Sequence, residues 1–298
     1  MTILTGSTGF LGRFIQNEIQ GDVVTLGRKS SCSVSVDLSK EIPEFSKGSN
    51  LVIHSAGKAH NVPKTEADKQ DFFDVNVTGT QNLLKGLENA GLPNQFVFIS
   101  SVSVYGLEIG TLIKEDAPLL AKDPYGLSKI AAEELVANWC ANNNVVCTIL
   151  RLPLLVGSNA PGNLRVMLKA IEKGYYFNIG GGKAKKSMVL AQDVARFILL
   201  AAPIGGVYNL TDGLHPNFKE LSTAIAINKN KKPPFNFPLI IAKILGCLGD
   251  VLGSKSPINS LKVNKIISTL TFDDSKARTI QNWKPRSVLE YLKENSLQ

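Results

Sequence analysis

Short apolar runs punctuate the first half of the chain: TILT at 2–5, DVVTL at 22–26, LVIHSA at 51–56, QFVFISS at 95–101 and VVCTILRL at 145–152. Each is short and almost unbroken by polar residues, which predicts strands buried on both faces. Between them, near 10–20, 66–90 and 125–142, the pattern predicts helices. Buried strands alternating with helices predict an α/β fold built on a doubly wound parallel sheet. The pattern loosens after residue 157. SNAPGN reads as a loop, LRVMLKAIEKG as a helix ending at Gly174, and YYFNIGGGKAKK as a glycine- and lysine-rich loop. NKNKKPPFNFP, 228–238, is a second basic, proline-marked break. The expectation is one lobe over 1–160, with a segment returning to it near 187–210, and a smaller C-terminal lobe over 161–298.

The most apolar segment is FPLIIAKILGCLGDVLG, 237–253, interrupted by Lys243 and Asp250. It is short for a membrane span. A buried or dimer-facing helix is expected there, with peripheral membrane contact as the alternative.

Charge narrows the ligand classes. The net charge of +8, from 33 basic and 25 acidic residues, suits nucleic acid, an anionic membrane or an anionic small ligand. There is no arginine-rich run and no aromatic–basic interleaving, which argues against nucleic acid and for a phosphate-bearing ligand. Four cysteines without a CxxC pair, and no signal peptide, read as free thiols of a cytoplasmic protein. Three histidines without ligand spacing argue against a metal site.

Three stretches carry candidate chemistry. TGSTGFLG, 5–12, sets Gly6, Gly9 and Gly12 between a strand and a helix. Gly6 permits the sharp turn, Gly9 lets a pyrophosphate approach the helix N-terminus, and Gly12 allows the helix to pack on the strand. The spacing is GxxGxxG, not the commoner GxGxxG. At the end of the second strand an acidic residue would select NAD through the ribose 2′-hydroxyl. That position is Gly27, followed by Arg28 and Lys29. A guanidinium binds a 2′-phosphate where a carboxylate would repel it, so NADP(H) is favoured and NAD(H) stays open. Asp37 suits either the adenine amino group or a helix cap. Ser101, in FISSVSVYG, precedes Tyr125 and Lys129 of DPYGLSK. A lysine ammonium near a tyrosine stabilises its phenolate, and a serine hydroxyl orients a carbonyl beside it. Asp123 and Pro124 supply a helix start at the same place. Alone, Tyr125 and Lys129 read as a helix surface; with the glycines, the serine and the strand order they read as an acid–base centre.

In these stretches the chain resembles the extended short-chain dehydrogenase/reductase family, also described as the NAD-dependent epimerase/dehydratase family. VIHSAG, NVTGTQNLL, SMVLAQDVA and DDSKARTIQNWKP extend the resemblance over nearly the whole length. It implies a Rossmann-type sheet with a nucleotide-sugar-binding C-terminal lobe. It implies that Ser101 and Tyr125 are catalytic, and that Lys129 binds the nicotinamide ribose and lowers the tyrosine pKa. Gly6, Thr8, Gly9, Phe10, Leu11, Gly12, Arg28, Lys29, Asp37, Leu38, Ala56, Asn76 and Pro153 would line the cofactor. Asn163 would meet the substrate pyrophosphate, and Lys186 stands where many relatives carry arginine. Lys58, His60 and Ser103 would contact substrate, and residues 177–179 would lie near the base. His54, inside an apolar strand, reads as a core histidine, and Trp283 as structural. A homodimer through helices 76–90 and 125–142 is implied by the family alone.

Departures narrow the reaction. The 4,6-dehydratases of this family carry an Asp–Glu pair directly after the serine or threonine; here those positions are Val102 and Ser103. The 4-epimerases carry an acidic residue after strand two and an asparagine after strand five; here those are Gly27 and Leu154. The pattern is more similar to 4-ketoreductases of UDP-linked 4-keto-6-deoxy sugars in surface-polysaccharide synthesis. A nucleotide-sugar 4-epimerase with tightly held NAD is the alternative. A non-catalytic NADPH-binding sensor or scaffold is a third, since fold alone does not fix function.

Overall fold

The computed structural model describes residues 1–59, 63–252 and 259–294. Its strands and helices, in chain order, begin with β1 (Thr2–Thr5), α1 (Phe10–Glu18), β2 (Val23–Gly27), β3 (Val34–Ser35), β4 (Leu51–His54), α2 (Glu66–Phe73), α3 (Gly79–Ala90) and β5 (Gln95–Ser101). They continue through β6 (Gly110–Ile113), α4 (Pro124–Asn142), β7 (Val146–Leu152), β8 (Leu154–Val156), α5 (Gly162–Glu172), β9 (Phe177–Ile179), β10 (Met188–Leu190) and α6 (Ala191–Ala201). The last are β11 (Gly206–Asn209), α7 (Phe218–Asn228), β12 (Phe235–Phe237), α8 (Leu239–Val251), α9 (Ser260–Ile267), β13 (Leu270–Phe272) and α10 (Val288–Glu294).

Seven strands form one parallel sheet in the order β11-β7-β5-β4-β1-β2-β3. The five apolar runs supply its middle. The edges were less legible: β3 has two residues, and β11 reaches the sheet from beyond the loosened pattern. The order reverses at β1, which pairs with β2 on one side and β4 on the other. Ligands bind at the carboxyl ends of strands beside such a switch point.

Side chains alternate across the sheet and feed two cores. Leu4, Ile53, Val97 and Leu150 meet Leu11 and Ile15 of α1 and Val194, Phe197 and Ile198 of α6. Ile3, Val52, Phe96, Phe98 and Ile149 meet Leu83 and Leu87 of α3 and Val136 and Cys140 of α4. A third core joins α5, α7 and α10 through Leu164, Leu168, Ile225, Val288 and Leu292. The chain returns to the sheet late in the sequence: α6 and β11 belong with it, as do Ala277, Ile280 and Trp283.

α8 is not buried within the chain, which sets aside the buried half of the expectation and not the dimer-facing half. It buries the small residues Ala242, Gly246 and Gly249 and turns its isoleucines, Leu245 and Leu248 outward. Fully burying one such side chain is worth about 2 kcal/mol. The chain alone forgoes that gain at several positions of α8. Among the described residues, no helix is long and apolar enough to cross a membrane.

Candidate active site

β1 turns sharply at Gly6 (φ +69°), where a Cβ would come within 2.7 Å of the Ala56 amide nitrogen. At Gly12 a Cβ would lie 2.0 Å from the Gly6 carbonyl oxygen, so α1 can rest on the loop only without a side chain there. Gly9 caps α1 with no side-chain acceptor, and Thr8 and Gly9 form an exposed rim. The first-turn amides of α1 are left to an anion, where the helix dipole also favours negative charge. Leu11 is buried, and Phe10 packs edge-on against Phe14 with centroids 5.4 Å apart. The cradle fits a dinucleotide pyrophosphate. Arg28 and Lys29 lie exposed just after β2. The carboxylate of Asp37 accepts from the Ser39 hydroxyl at 2.7 Å and amide at 3.2 Å, which holds its pKa below the ordinary range, aided by Lys40 and Arg28. It caps a turn rather than a helix. Leu38 is buried, and its carbonyl accepts from Asn82 at 2.8 Å.

A buried polar chain ties this loop to the helices. The Ala56 amide donates to Thr5 Oγ1 at 3.0 Å, and Thr5 Oγ1 lies 2.7 Å from His54 Nδ1. His54 Nε2 lies 2.9 Å from Thr80 Oγ1, which donates to the Asn76 carbonyl at 2.7 Å. Because the Thr80 proton is committed to that carbonyl, Nε2 must carry the imidazole hydrogen and Nδ1 must accept from Thr5. Burial, and the nearby Lys129 charge, push the His54 pKa down to about 3 and keep the ring neutral. Asn76 sits in a π-helical turn, Asp74–Thr78, between α2 and α3. Such turns displace side chains from the regular helical positions. Its Oδ1 accepts from the Lys58 amide at 2.8 Å, and its Nδ2 donates to Ser128 Oγ at 2.9 Å. Asn76 thus fastens the loop after β4 to α4.

α4 begins as its sequence indicates: Pro124 opens the helix and Asp123 accepts from the Gly126 amide at 3.0 Å. One helical turn separates Tyr125 from Lys129. Ser101, at the end of β5, is near enough to the Tyr125 phenol to favour its ionised form. Ser103 joins them, its hydroxyl donating to Ser101 Oγ at 3.0 Å. The buried Lys129 amine donates to the Ile99 carbonyl at 2.8 Å and lies 4.6 Å from the Phe98 ring centroid. Burial lowers the Lys129 pKa to about 8, with the Glu133 charge opposing. The Tyr125 phenol is raised by burial despite Ser101, and the Asp123 charge raises it further. The lowered phenol pKa implied by resemblance is therefore not found in the chain alone: desolvation of the phenolate outweighs its neighbours.

Beneath this centre lies a network that sequence reasoning missed. Glu133, one turn beyond Lys129, accepts from Arg151 NH2 at 2.7 Å and Nε at 3.1 Å, and from Ser100 Oγ. Arg151 NH1 donates to the Tyr105 hydroxyl at 3.1 Å, which donates to Asn209 at 2.8 Å. Two signals were available: an arginine inside an apolar strand must find a partner, and Glu133 shares a helix face with Tyr125 and Lys129.

The other candidate residues are more dispersed. The Lys58 amine is paired with Asp71 and lies 5.1 Å from the Phe72 ring centroid, whose ring packs 6.0 Å from that of Tyr125. Pro153 is half-buried between β7 and β8, and Asn163 is exposed in the first turn of α5. Lys186 is half-buried, and burial together with Lys265 lowers its pKa against the pull of Glu108. His60 lies outside the described residues. Among the described residues, no group of three His, Cys, Asp or Glu could hold a metal ion.

Residues 2–210 match the model of the NAD dependent epimerase/dehydratase family. The chain is 33% identical over 219 residues to an N-acetyl-alpha-D-glucosaminyl-diphospho-ditrans,octacis-undecaprenol 4-epimerase of Escherichia coli O157:H7, covering 70% of this chain and 66% of that protein. It is 28% identical over 203 residues to a GDP-6-deoxy-D-mannose reductase of Pseudomonas aeruginosa, covering 64% of each. Its fold is like that of MoeE5 in complex with UDP-glucose and NAD, with a TM-score of 0.74 and 22% identity over 98% of this chain and 95% of that one.

Proposed function

The chain belongs to the NAD dependent epimerase/dehydratase family, and from that premise we propose that it reduces the C4 ketone of a diphosphate-linked hexose. UDP is the expected carrier and NADPH the favoured reductant. The observation that carries the reading is the layout of the centre: Ser101 ends β5, Tyr125 and Lys129 stand one turn apart on α4, and the Lys129 amine is held at the Ile99 carbonyl of β5 at 2.8 Å. A protonated phenol beside a fixed ammonium can give up its proton, which is what a ketone gaining a hydride requires. A nicotinamide bound along the glycine cradle would supply the hydride. Tyr125 delivers its proton to the C4 oxygen as negative charge develops there, and Ser101 donates a hydrogen bond to the same oxygen. Lys129, charged below about pH 8, stabilises the phenolate left behind, which regains a proton from solvent. Arg28 and Lys29 suit the extra phosphate of NADPH.

The diphosphate is the shared element of the substrates named for the relatives, whether the carrier is a nucleotide or undecaprenol. Asn163 and Lys186 are the residues assigned to it. The 4-epimerase reading is supported as strongly by the relatives, several of which are named 4-epimerases; it requires the same centre to remove a C4 hydroxyl proton and then return one. The cytoplasm, where the four thiols stay free, is the proposed compartment, and a homodimer through α3 and α4 the proposed assembly.

The assay mixes the protein, NADPH and a UDP-4-keto-6-deoxy-hexose and follows loss of reduced-nicotinamide absorbance. Oxidation should occur and should fall by about 10²-fold or more in Tyr125→Phe. Exchanging Arg28 for serine should weaken NADPH without weakening NADH. Absence of NADPH oxidation, with UDP-GlcNAc and UDP-GalNAc interconverted and no cofactor consumed, would replace the reductase by the epimerase.

A further inference from the structure

α8 is amphipathic in the reverse of the usual sense. Its packed side is Ala242, Gly246 and Gly249, and a Cβ on Gly246 would lie 3.2 Å from the Ser260 backbone of α9. Its open side carries Ile240, Ile244, Leu248 and Val251, exposed by 74%, 55%, 56% and 87%. Phe235, 82% exposed, stands in β12 just before α8, on the strand pair that also carries the Phe177 and Phe237 rings, whose centroids are 6.1 Å apart. An exposed apolar helix face of this kind marks a contact with something else.

The surrounding charge says what kind. Among the described residues of 228–267 there are six lysines and one acidic residue, Asp250. The Asp250 carboxylate is engaged by the Ser260 amide at 3.0 Å. Lys231 and Lys232 line a notch of about 240 Å³ with Tyr176 and Phe235. A second copy on this face would bring a second set of the same lysines to the patch with no matching acidic residues beyond Asp250. An anionic bilayer satisfies both halves of the surface, taking apolar side chains into the acyl boundary and lysines at its phosphates.

We infer that the α8 face, with Phe235 and the flanking lysines, is a docking surface for an anionic phospholipid bilayer. The surface adjoins the smaller lobe's candidate substrate residues. Leu239 lies against Gly180, next to residues 177–179, and the Lys265 charge acts on Lys186. Docking therefore holds that edge of the cleft at the membrane while the sheet lobe stays in water. The inference does not depend on which C4 reaction is run.

The test is co-sedimentation of the full-length protein with vesicles of pure phosphatidylcholine and with vesicles of equal phosphatidylcholine and phosphatidylglycerol. Binding is expected to the anionic vesicles and should weaken as salt is raised. Ile244→Glu with Leu248→Glu should abolish it while circular dichroism and NADPH binding are retained. Lys231→Glu with Lys232→Glu, which leaves the apolar face intact, should reduce it by about tenfold or more, since each lysine near an anionic surface adds roughly fivefold. Failure of the unaltered protein to sediment with anionic vesicles overturns the inference. So does a dimer in analytical ultracentrifugation that the Ile244/Leu248 variant splits, because a second copy would then occupy the face.

Discussion

Glu133→Gln asks whether a buried carboxylate outside the reacting groups sets the charge state of Lys129. In the native chain the carboxylate meets Arg151 at 2.7, 3.1 and 3.2 Å, with both side chains buried. Glutamine keeps an acceptor and the shape but removes the charge, leaving the guanidinium uncompensated. Removing one partner of a buried pair costs about 3 kcal/mol or more. Glu133 lies one turn beyond Lys129 on α4, a separation of about 6 Å for side chains on one helix face. Unit charges at that distance interact by ~3 kcal/mol at an effective dielectric of about 20. Arg151 is charged with or without the substitution, so it cancels in the difference, and the ~3 kcal/mol lost corresponds to about two pKa units. Lys129, already lowered to about 8 by burial, should fall further in the variant. Its ammonium form supports the phenolate, so activity is present below that pKa and lost above it. A profile of kcat/KM against pH should keep its shape while its alkaline limb moves down by about two units. Urea unfolding near neutral pH should show the ~3 kcal/mol loss. A stability loss with the alkaline limb unmoved would refute the reasoning and leave Glu133 as a brace for Arg151 alone.

Gly12→Ala should destabilise the protein by ~2 kcal/mol and abolish NADPH binding in a fluorescence titration, because the added Cβ would lie 2.0 Å from the Gly6 carbonyl oxygen. Acid should destabilise the fold through His54, whose pKa is pushed from 6.5 to about 3. Between those values the unfolded chain binds the proton and the folded chain does not, so stability falls as pH drops through that window. Near pH 5 this group should account for ~2 kcal/mol, measured as a lower urea midpoint than near pH 7. His54→Asn, though less stable near pH 7, should show a flatter dependence.

What the sequence determined by itself was local. The apolar runs 2–5, 51–56 and 95–101 are continuous because both faces of their strands are covered, so their assignment needed no knowledge of neighbours. Asp123, Pro124 and the four-residue step from Tyr125 to Lys129 define a capped helix with one reactive face, again within a few residues. The glycine spacing in TGSTGFLG follows from one turn between one strand and one helix. Tertiary structure decided everything that depended on sheet order. His54 is apolar-strand filler in sequence, yet it bridges Thr5 and Thr80 because β1 and β4 pair in parallel register. Arg151 reaches Glu133 because α4 crosses onto the sheet where β7 lies beside β5. The phenol pKa of Tyr125 followed burial, a property of the assembled site and not of the Tyr–Lys spacing. In α8, periodicity could report that one face is large and apolar and another small. Only packing against α9 decided that the small face goes inward, because Gly246 and Ala242 permit a close helix approach that isoleucine would block.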